Sequence, residues 1–192
     1  MKIHLIAIGG AIMHNLAMEL HDNGHIVTGS DDAIYDPALS RLAEKGILPT
    51  EFGWHSERVT NELDLVILGM HARIDNPELL KAQEIGVKLM SFPEFMYDHA
   101  KDKKRVVIAG SHGKTTTTSM VLHLLKSAGR EVDFLVGAQL EGFGNMVKLS
   151  DAPIAVFEGD EYTASPLDLQ PKFMHYKPDI SVITGIAWDH VN

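Results

Sequence analysis

Twice along this chain an apolar run breaks at a glycine-rich turn and gives way to a helical pattern. The first is IHLIAI at 3–8, followed by Gly9-Gly10 and a periodic stretch to about Asn23 with Ile12, Leu16 and Leu20 on one face. The second is RVVIA at 105–109, followed by GSHG and a stretch to about Ala128 that Gly129 closes. Further apolar runs fall at 25–29, 63–68, 87–90, 132–136, 153–157 and 180–184. Asp36-Pro37 and Asn76-Pro77-Glu78 each read as a cap followed by proline at the first helical position, opening helices that end near Gly46 and Gly86. Strands alternating with helices imply parallel pairing in a doubly wound α/β sheet. The charged break KDKK at 101–104 marks the expected boundary between a Rossmann-like domain, 1–104, and a second α/β domain, 105–192. The chain stops at Asn192 just past a strand, so the second domain is expected to be the N-terminal part of a longer one.

Composition narrows the partners. At 192 residues, 45% hydrophobic and 22% charged, the chain has the makeup of one or two globular domains. There are no cysteines, hence no disulfide and no thiolate metal site, which suits a reducing cytoplasm. A formal charge of −9 argues against general affinity for nucleic acid, which requires Lys and Arg to neutralise phosphates. No apolar run approaches the roughly 18 residues of a membrane span. Nothing in the sequence reports an oligomeric state.

The loop after the second apolar strand carries the strongest chemistry. In GSHGKTT at 110–116, Gly110 and Gly113 permit a tight turn and close ligand approach. Ser111, His112 and Thr116 complete the loop, and free backbone N–H groups at a helix start suit an anion. Lys114 would reach the β/γ phosphates of a nucleotide, and Thr115 offers a hydroxyl to Mg²⁺. The spacing is shorter than G-x-x-x-x-G-K-[ST]. A phosphate loop also needs a carboxylate at a neighbouring strand end, and APIAVFEGDEY supplies Glu158. Asp160 and Glu161 behind it read equally well as a solvated acidic turn. Asp189-His190 closes another apolar strand; taken alone, His190 is as readily structural as a ligand.

The N-terminal turn is less specific. A G-x-G-x-x-G fingerprint would need glycines at 7, 9 and 12, where the chain has Ala7, Gly9 and Ile12. Asp31 lies where a ribose-contacting acid is expected. NAD, a UDP-sugar and a plain structural turn all remain open on these residues. An NAD-dependent oxidoreductase built on 1–100 would call for an intact fingerprint. A non-catalytic nucleotide-binding module is opposed by the co-occurrence of Lys114, Thr115, Glu158 and His190.

These residues resemble the Mur ligases, which form amide bonds in peptidoglycan precursors. That family's phosphate loop is the shortened G-[TS]-x-G-K-[TS]-[TS], which GSHGKTT resembles throughout. IGGAIMHNLA (8–17), TGSD (28–31), NPE (76–78), EGDEY (158–162), PKFMHY (171–176) and DH (189–190) extend the resemblance over nearly the whole chain. E-x-D-E-Y followed by P-K-F-x-H-Y is more similar to the murein peptide ligases than to the L-alanine-adding branch. The former join L-alanyl-γ-D-glutamyl-meso-diaminopimelate to UDP-N-acetylmuramate during cell-wall recycling. One departure is Thr163, where that branch carries an acid. The resemblance implies ATP and Mg²⁺ as cofactors, UDP-N-acetylmuramate and a peptide or amino-acid amine as partners, and a cytoplasmic enzyme. It implies that Gly110–Thr116 bind ATP phosphates, that Lys114 and His190 are catalytic, and that Thr115, Glu158 and His190 hold metal. It places Gly9, Gly10, Ala11, Ile12, Ser30, Asp31, His71, Ala72, Arg73 and Asn76 around the UDP-sugar, and His112 towards the sugar carboxylate. The family's downstream lysine, adenine-contacting residues and amine-holding domain would all lie past Asn192, so the chain alone is expected to be inactive.

Overall fold

The computed structural model of the chain describes residues 1–140 and 142–187. It resolves into two compact units, Met1–Phe95 with Ala164–Leu169, and Met96–Thr163 with the residues from Gln170 onward.

The first unit is built on β1 (Lys2–Ile6), β2 (Ile26–Ser30), β3 (Leu65–Leu68) and β4 (Leu89–Ser91), a fully parallel sheet in the order β2-β1-β3-β4. β1 is central, with Ile3 opposite both Val27 and Leu65. Strands flanked by others and covered on both faces must be apolar throughout; all four residues of β3 are buried. The crossovers carry α1 (Ala11–Asp22), α2 (Ala38–Glu44) and α3 (Pro77–Ile85). α3 starts as its cap signal predicts: the Asn76 side chain accepts from the N–H groups of Glu78 and Leu79 at 2.9 and 3.1 Å, and Pro77 occupies the first turn. It ends at Gly86, whose φ of 70° is the left-handed conformation glycine adopts without strain. At α2 the signal is displaced by one residue. Pro37 takes the cap position after a cis peptide bond, and the Asp36 carboxylate accepts from Ser40 N at 3.0 Å.

Periodicity passed over α4 (Phe92–Ala100). Its signal is local: Ser91-Phe-Pro-Glu94 is a capping box, in which the Glu94 carboxylate accepts from Ser91 N at 2.7 Å and Ser91 Oγ at 2.8 Å.

The second unit holds β5 (Lys104–Ala109), α5 (Lys114–Ser127), β6 (Asp133–Leu135), β7 (Val147–Lys148) and β8 (Ile154–Glu158). β9 (Thr163–Ser165) and β10 (Asp168–Pro171) form a separate two-stranded sheet, followed by α6 (Lys172–His175) and β11 (Ile180–Ile183). The main sheet runs β11-β5-β8-β6-β7, parallel except where β7 pairs antiparallel with β6 at the edge. Ile108, Leu122, Phe134, Val136 and Val156 form its core. No helix among the described residues is long and apolar enough to cross a membrane.

Each unit buries a carboxylate and answers its charge. Glu78 sits fully buried beneath β1; its oxygens meet His4 Nε2 at 3.2 Å and accept from His55 N at 2.8 Å. Burial pushes its pKa up, but these bonds and one from Ser30 outweigh that and hold it below the usual range. Asp133 is likewise buried and held low, because bonds from His99, Lys103 and Ser150 outweigh its burial.

Gly29 makes the tightest approach in the first sheet. A Cβ there would lie 2.6 Å from Ile8 Cδ1 and 2.8 Å from the Leu5 carbonyl oxygen, and backbone cannot swing aside. Gly29→Ala should therefore cost about 1–3 kcal/mol by overpacking, read as a lower urea midpoint with unchanged slope.

Candidate functional site

In the first unit the carboxyl ends of β1, β2 and β3 open onto a cavity of about 550 Å³. This is the switch point of the sheet, where chain leaving β1 diverges to either side and leaves a crevice. Gly9 and Gly10 line it after β1, Asp31, Asp32 and Ala33 after β2, and His71, Arg73, Asp75 and Asn76 after β3; Trp54 adds an aromatic wall. Of the expected UDP-sugar residues, Gly9, Gly10, Asp31, His71, Arg73 and Asn76 meet here. Ala11, Ile12, Ser30 and Ala72 are not among the lining residues. Ser30 is buried below, accepting from Arg58 at 3.0 Å and, through its carbonyl, from Ala7 N at 2.9 Å. Ala72 belongs to the hydrophobic core.

Ala7 replaces a fingerprint glycine yet keeps a glycine's backbone, with φ 67°. The turn thus survives the substitution at the cost of a strained alanine. Gly9 donates its N–H to Asp31 Oδ2 at 2.8 Å, and a Cβ at Gly9 would lie 2.9 Å from that oxygen. The Asp31 carboxyl is pushed up from 3.8 to about 6, chiefly by burial; the N–H groups of Gly9 and Asp32 oppose the shift and the Asp32 carboxyl adds to it. Arg73 pairs with Asp75 at 2.8 Å, but both side chains are exposed, and such pairs hold weakly.

In the second unit the candidate phosphate loop follows β5, which has a parallel neighbour on each side. Gly110 has φ 126°, and a Cβ there would lie 2.6 Å from Thr184 Oγ1, so only glycine lets β11 close against the loop. Ser111 N donates to the Gly185 carbonyl at 3.1 Å. Gly113, at φ 78°, caps α5. As first-turn residues, Lys114, Thr115 and Thr116 present N–H groups with no intrahelical acceptor; His112 and Thr116 are exposed.

Two carboxylates face this loop. Thr115 Oγ1 donates to Glu158 Oε1 at 2.8 Å, and Gly137 N donates to Glu158 Oε2 at 3.0 Å. Lys114 Nζ donates to the Gly110 carbonyl at 2.7 Å and to Glu161 Oε2 at 3.0 Å. The hydroxyl of Thr115 and the carboxylate of Glu158 are hard oxygen donors in mutual contact, the set Mg²⁺ takes from protein. Glu161 and Asp160 are not merely a solvated acidic turn. Glu161 holds Lys114, and Asp160 Oδ2 accepts from Lys172 Nζ at 2.9 Å. Gly137 was also missed; a Cβ there would lie 2.7 Å from Glu158 Oε1, so its lack of a side chain admits that carboxylate. No local pattern announces these contacts. Asp189 and His190 lie outside the described residues.

Asp31 yields a pH test. Its native pKa near 6 lies above the unfolded value of 3.8. The native state therefore keeps a proton that the unfolded chain has lost, and stability falls as pH rises between those values. A ¹³C carboxyl titration should place the Asp31 midpoint near 6, and Asp31→Asn should flatten the stability–pH curve in that window. A midpoint at or below 4 would contradict the burial.

Comparison with known proteins agrees with this geometry. Residues 2–104 match the Mur ligase family catalytic domain and 108–192 the Mur ligase middle domain. The chain is 34% identical over 193 residues to the UDP-N-acetylmuramate–L-alanyl-γ-D-glutamyl-meso-2,6-diaminoheptandioate ligase of Haemophilus influenzae, covering 99% of this chain and 42% of that protein. It is 35% identical over 190 residues to the UDP-N-acetylmuramate–L-alanine ligase of a Sulfurihydrogenibium species, covering 99% of this chain and 40% of that protein. The solved UDP-N-acetylmuramate:L-alanyl-γ-D-glutamyl-meso-diaminopimelate ligase of Neisseria meningitides superposes with a TM-score of 0.87 at 30% identity, over 98% of this chain and 61% of that one. The chain thus spans about two fifths of the length of the curated relatives it matches. Two consecutive family domains, the shortened phosphate loop and its facing carboxylate place this chain in the Mur ligase family.

Proposed function

We propose that this chain carries the UDP-sugar and ATP-phosphate groups of an ATP-dependent cytoplasmic ligase that joins the amine of L-alanyl-γ-D-glutamyl-meso-diaminopimelate to UDP-N-acetylmuramate. The observation that carries the proposal is the Lys114–Thr115–Glu158 cluster at the start of α5. In this reading ATP phosphorylates the lactyl carboxylate of the muramyl sugar to an acyl phosphate. The amine then attacks the acyl carbon, and inorganic phosphate leaves. A carboxylate is a poor electrophile, and phosphorylation supplies the leaving group. Lys114 exchanges Glu161 for phosphate oxygens and neutralises charge on the transferred phosphoryl group. The loop N–H groups orient that group, with His112 towards the sugar carboxylate. Thr115 and Glu158 would hold Mg²⁺, with His190 as the family's further ligand; the ion supplies charge neutralisation at the phosphates.

The cavity of the first unit is the UDP-sugar site in this reading. Asp31 faces the ribose hydroxyls from β2, while His71 and Arg73 face the diphosphate from β3. Arg73 gives up little in leaving its exposed pair with Asp75. Identity to the tripeptide and L-alanine branches is nearly equal, at 34% and 35%. The tripeptide is favoured by E-G-D-E-Y at 158–162 together with P-K-F-M-H-Y at 171–176.

Calorimetry on this chain tests both sites. UDP-N-acetylmuramate should bind and NAD should not; the reverse would sink the assignment of the cavity. Mg-ATP binding, or Mg-triphosphate binding if adenine contributes little here, should weaken by about 10²-fold in Lys114→Ala, the scale for one pre-organised charge contact. An unchanged melting temperature would show that the loss is chemical.

A further inference from the structure

We infer that His14 is a positioning residue of the UDP-sugar cavity, fixing the Gly9-Gly10 turn by donating a hydrogen bond from Nδ1 to the Gly10 carbonyl. The inference rests on the reading of that cavity given above. His14 lies in the first turn of α1, only 3% exposed, beside the fully buried Asn15 on a helix whose other buried residues are apolar. Its Nδ1 stands 2.9 Å from the Gly10 carbonyl oxygen. Its Nε2 stands 3.0 Å from Asn15 Nδ2 and 3.4 Å from an Arg41 guanidinium nitrogen. Both neighbours of Nε2 are donors, because Asn15 Nδ2 also reaches the Ala11 carbonyl at 2.6 Å and Asn15 Oδ1 accepts from Arg41 at 3.0 Å. Nε2 must then accept, so the ring proton sits on Nδ1 and points at Gly10. Burial, assisted by Arg41, lowers the pKa of His14 and favours this neutral form, although the bond to Gly10 opposes the shift. An ordered relay therefore runs from α2 through α1 to the turn.

The turn has reason to need it. Gly10 is the N-cap of α1 and brings no side-chain cap, with φ −58° and ψ 149°. Two consecutive glycines are the most mobile dipeptide a cavity wall can have. Gly9 is tied by its N–H to Asp31, and the Gly10 carbonyl accepts twice from His14, at 2.9 Å from its main-chain N–H in the first helical bond and at 2.9 Å from Nδ1, which adds a side-chain hold to the main-chain one. Peptide planarity then sets the following N–H, that of Ala11, pointing the opposite way, out of the helix start. A loose turn would have to be ordered on binding, which subtracts from affinity.

The test uses UDP-N-acetylmuramate calorimetry and thermal melts on wild type, His14→Leu, His14→Ala and His14→Asn. Asparagine can donate to the carbonyl four residues back, as Asn15 already does to Ala11. His14→Leu and His14→Ala should each lose about fivefold to tenfold in affinity, the scale of one hydrogen bond. His14→Asn should stay within about twofold of wild type. Either deletion variant suffices if the other fails to melt cooperatively. Wild-type affinity in a folded deletion variant, or an equal loss in His14→Asn, overturns the inference alone. Failure of both deletion variants to fold beside a folded His14→Asn would show that the bond builds the unit, and also overturns it. No binding by wild type overturns the cavity assignment and the inference together.

Discussion

Parallel pairing around a central strand is the constraint on which the rest depends. β1 has a parallel neighbour on each side, as does β5. Every strand of these two sheets but the antiparallel edge strand β7 then ends at the same edge of its sheet, and the chain leaving β1 or β5 must turn at once into a helix. The turn falls between neighbours whose own exits diverge. Both candidate sites occupy that position, and both begin with a glycine where a Cβ would collide, with Asp31 Oδ2 at Gly9 and with Thr184 and Gly185 at Gly110. Gly29 under Ile8 and Gly110 against Thr184 show how little space remains.

Holding those edges in place requires polar groups inside the units. Glu78 joins β1, the start of α3 and the backbone at His55, directly beneath the Asn76 and Trp54 wall of the cavity. Asp133 ties the start of β6 to His99, Lys103 and Ser150. Each carboxylate loses solvation on burial and recovers it from several donors, which leaves it charged and intolerant of losing a partner. The same logic appears at the phosphate loop, where Lys114 and Thr115 are each held by a carboxylate. There the carboxylates are partly exposed, so the contacts can be exchanged for ligand.

Much of the fold was legible because its signals are local. The caps at Asn76 and Gly86 and the apolar strands read directly, and the Ser91–Glu94 box at α4 was present although periodicity did not reveal it. The short elements β7, β9, β10 and α6 offered two to four residues each, too few for a period to register. The α2 start lies one residue later than its cap-and-proline pair predicts. In the cavity, Gly9, Gly10 and Asp31 were legible from spacing. Ser30 and Ala72 look like lining residues in sequence, but the strand pleat and the core turn them inward.

The sequence by itself determined the alternation that makes the first sheet parallel and the second parallel but for its β7 edge, the candidate phosphate loop with Lys114 and Thr115, and the acid at the end of β8. These depend on residues adjacent in the chain, where backbone geometry and side-chain chemistry act together. The tertiary structure alone decided that Glu161 holds Lys114 across 47 residues, that Gly137 admits Glu158 across 21, and that His14 meets Arg41 across 27. Such contacts depend on strand order and register, which bring distant turns to one edge. No short stretch of the chain contains that information.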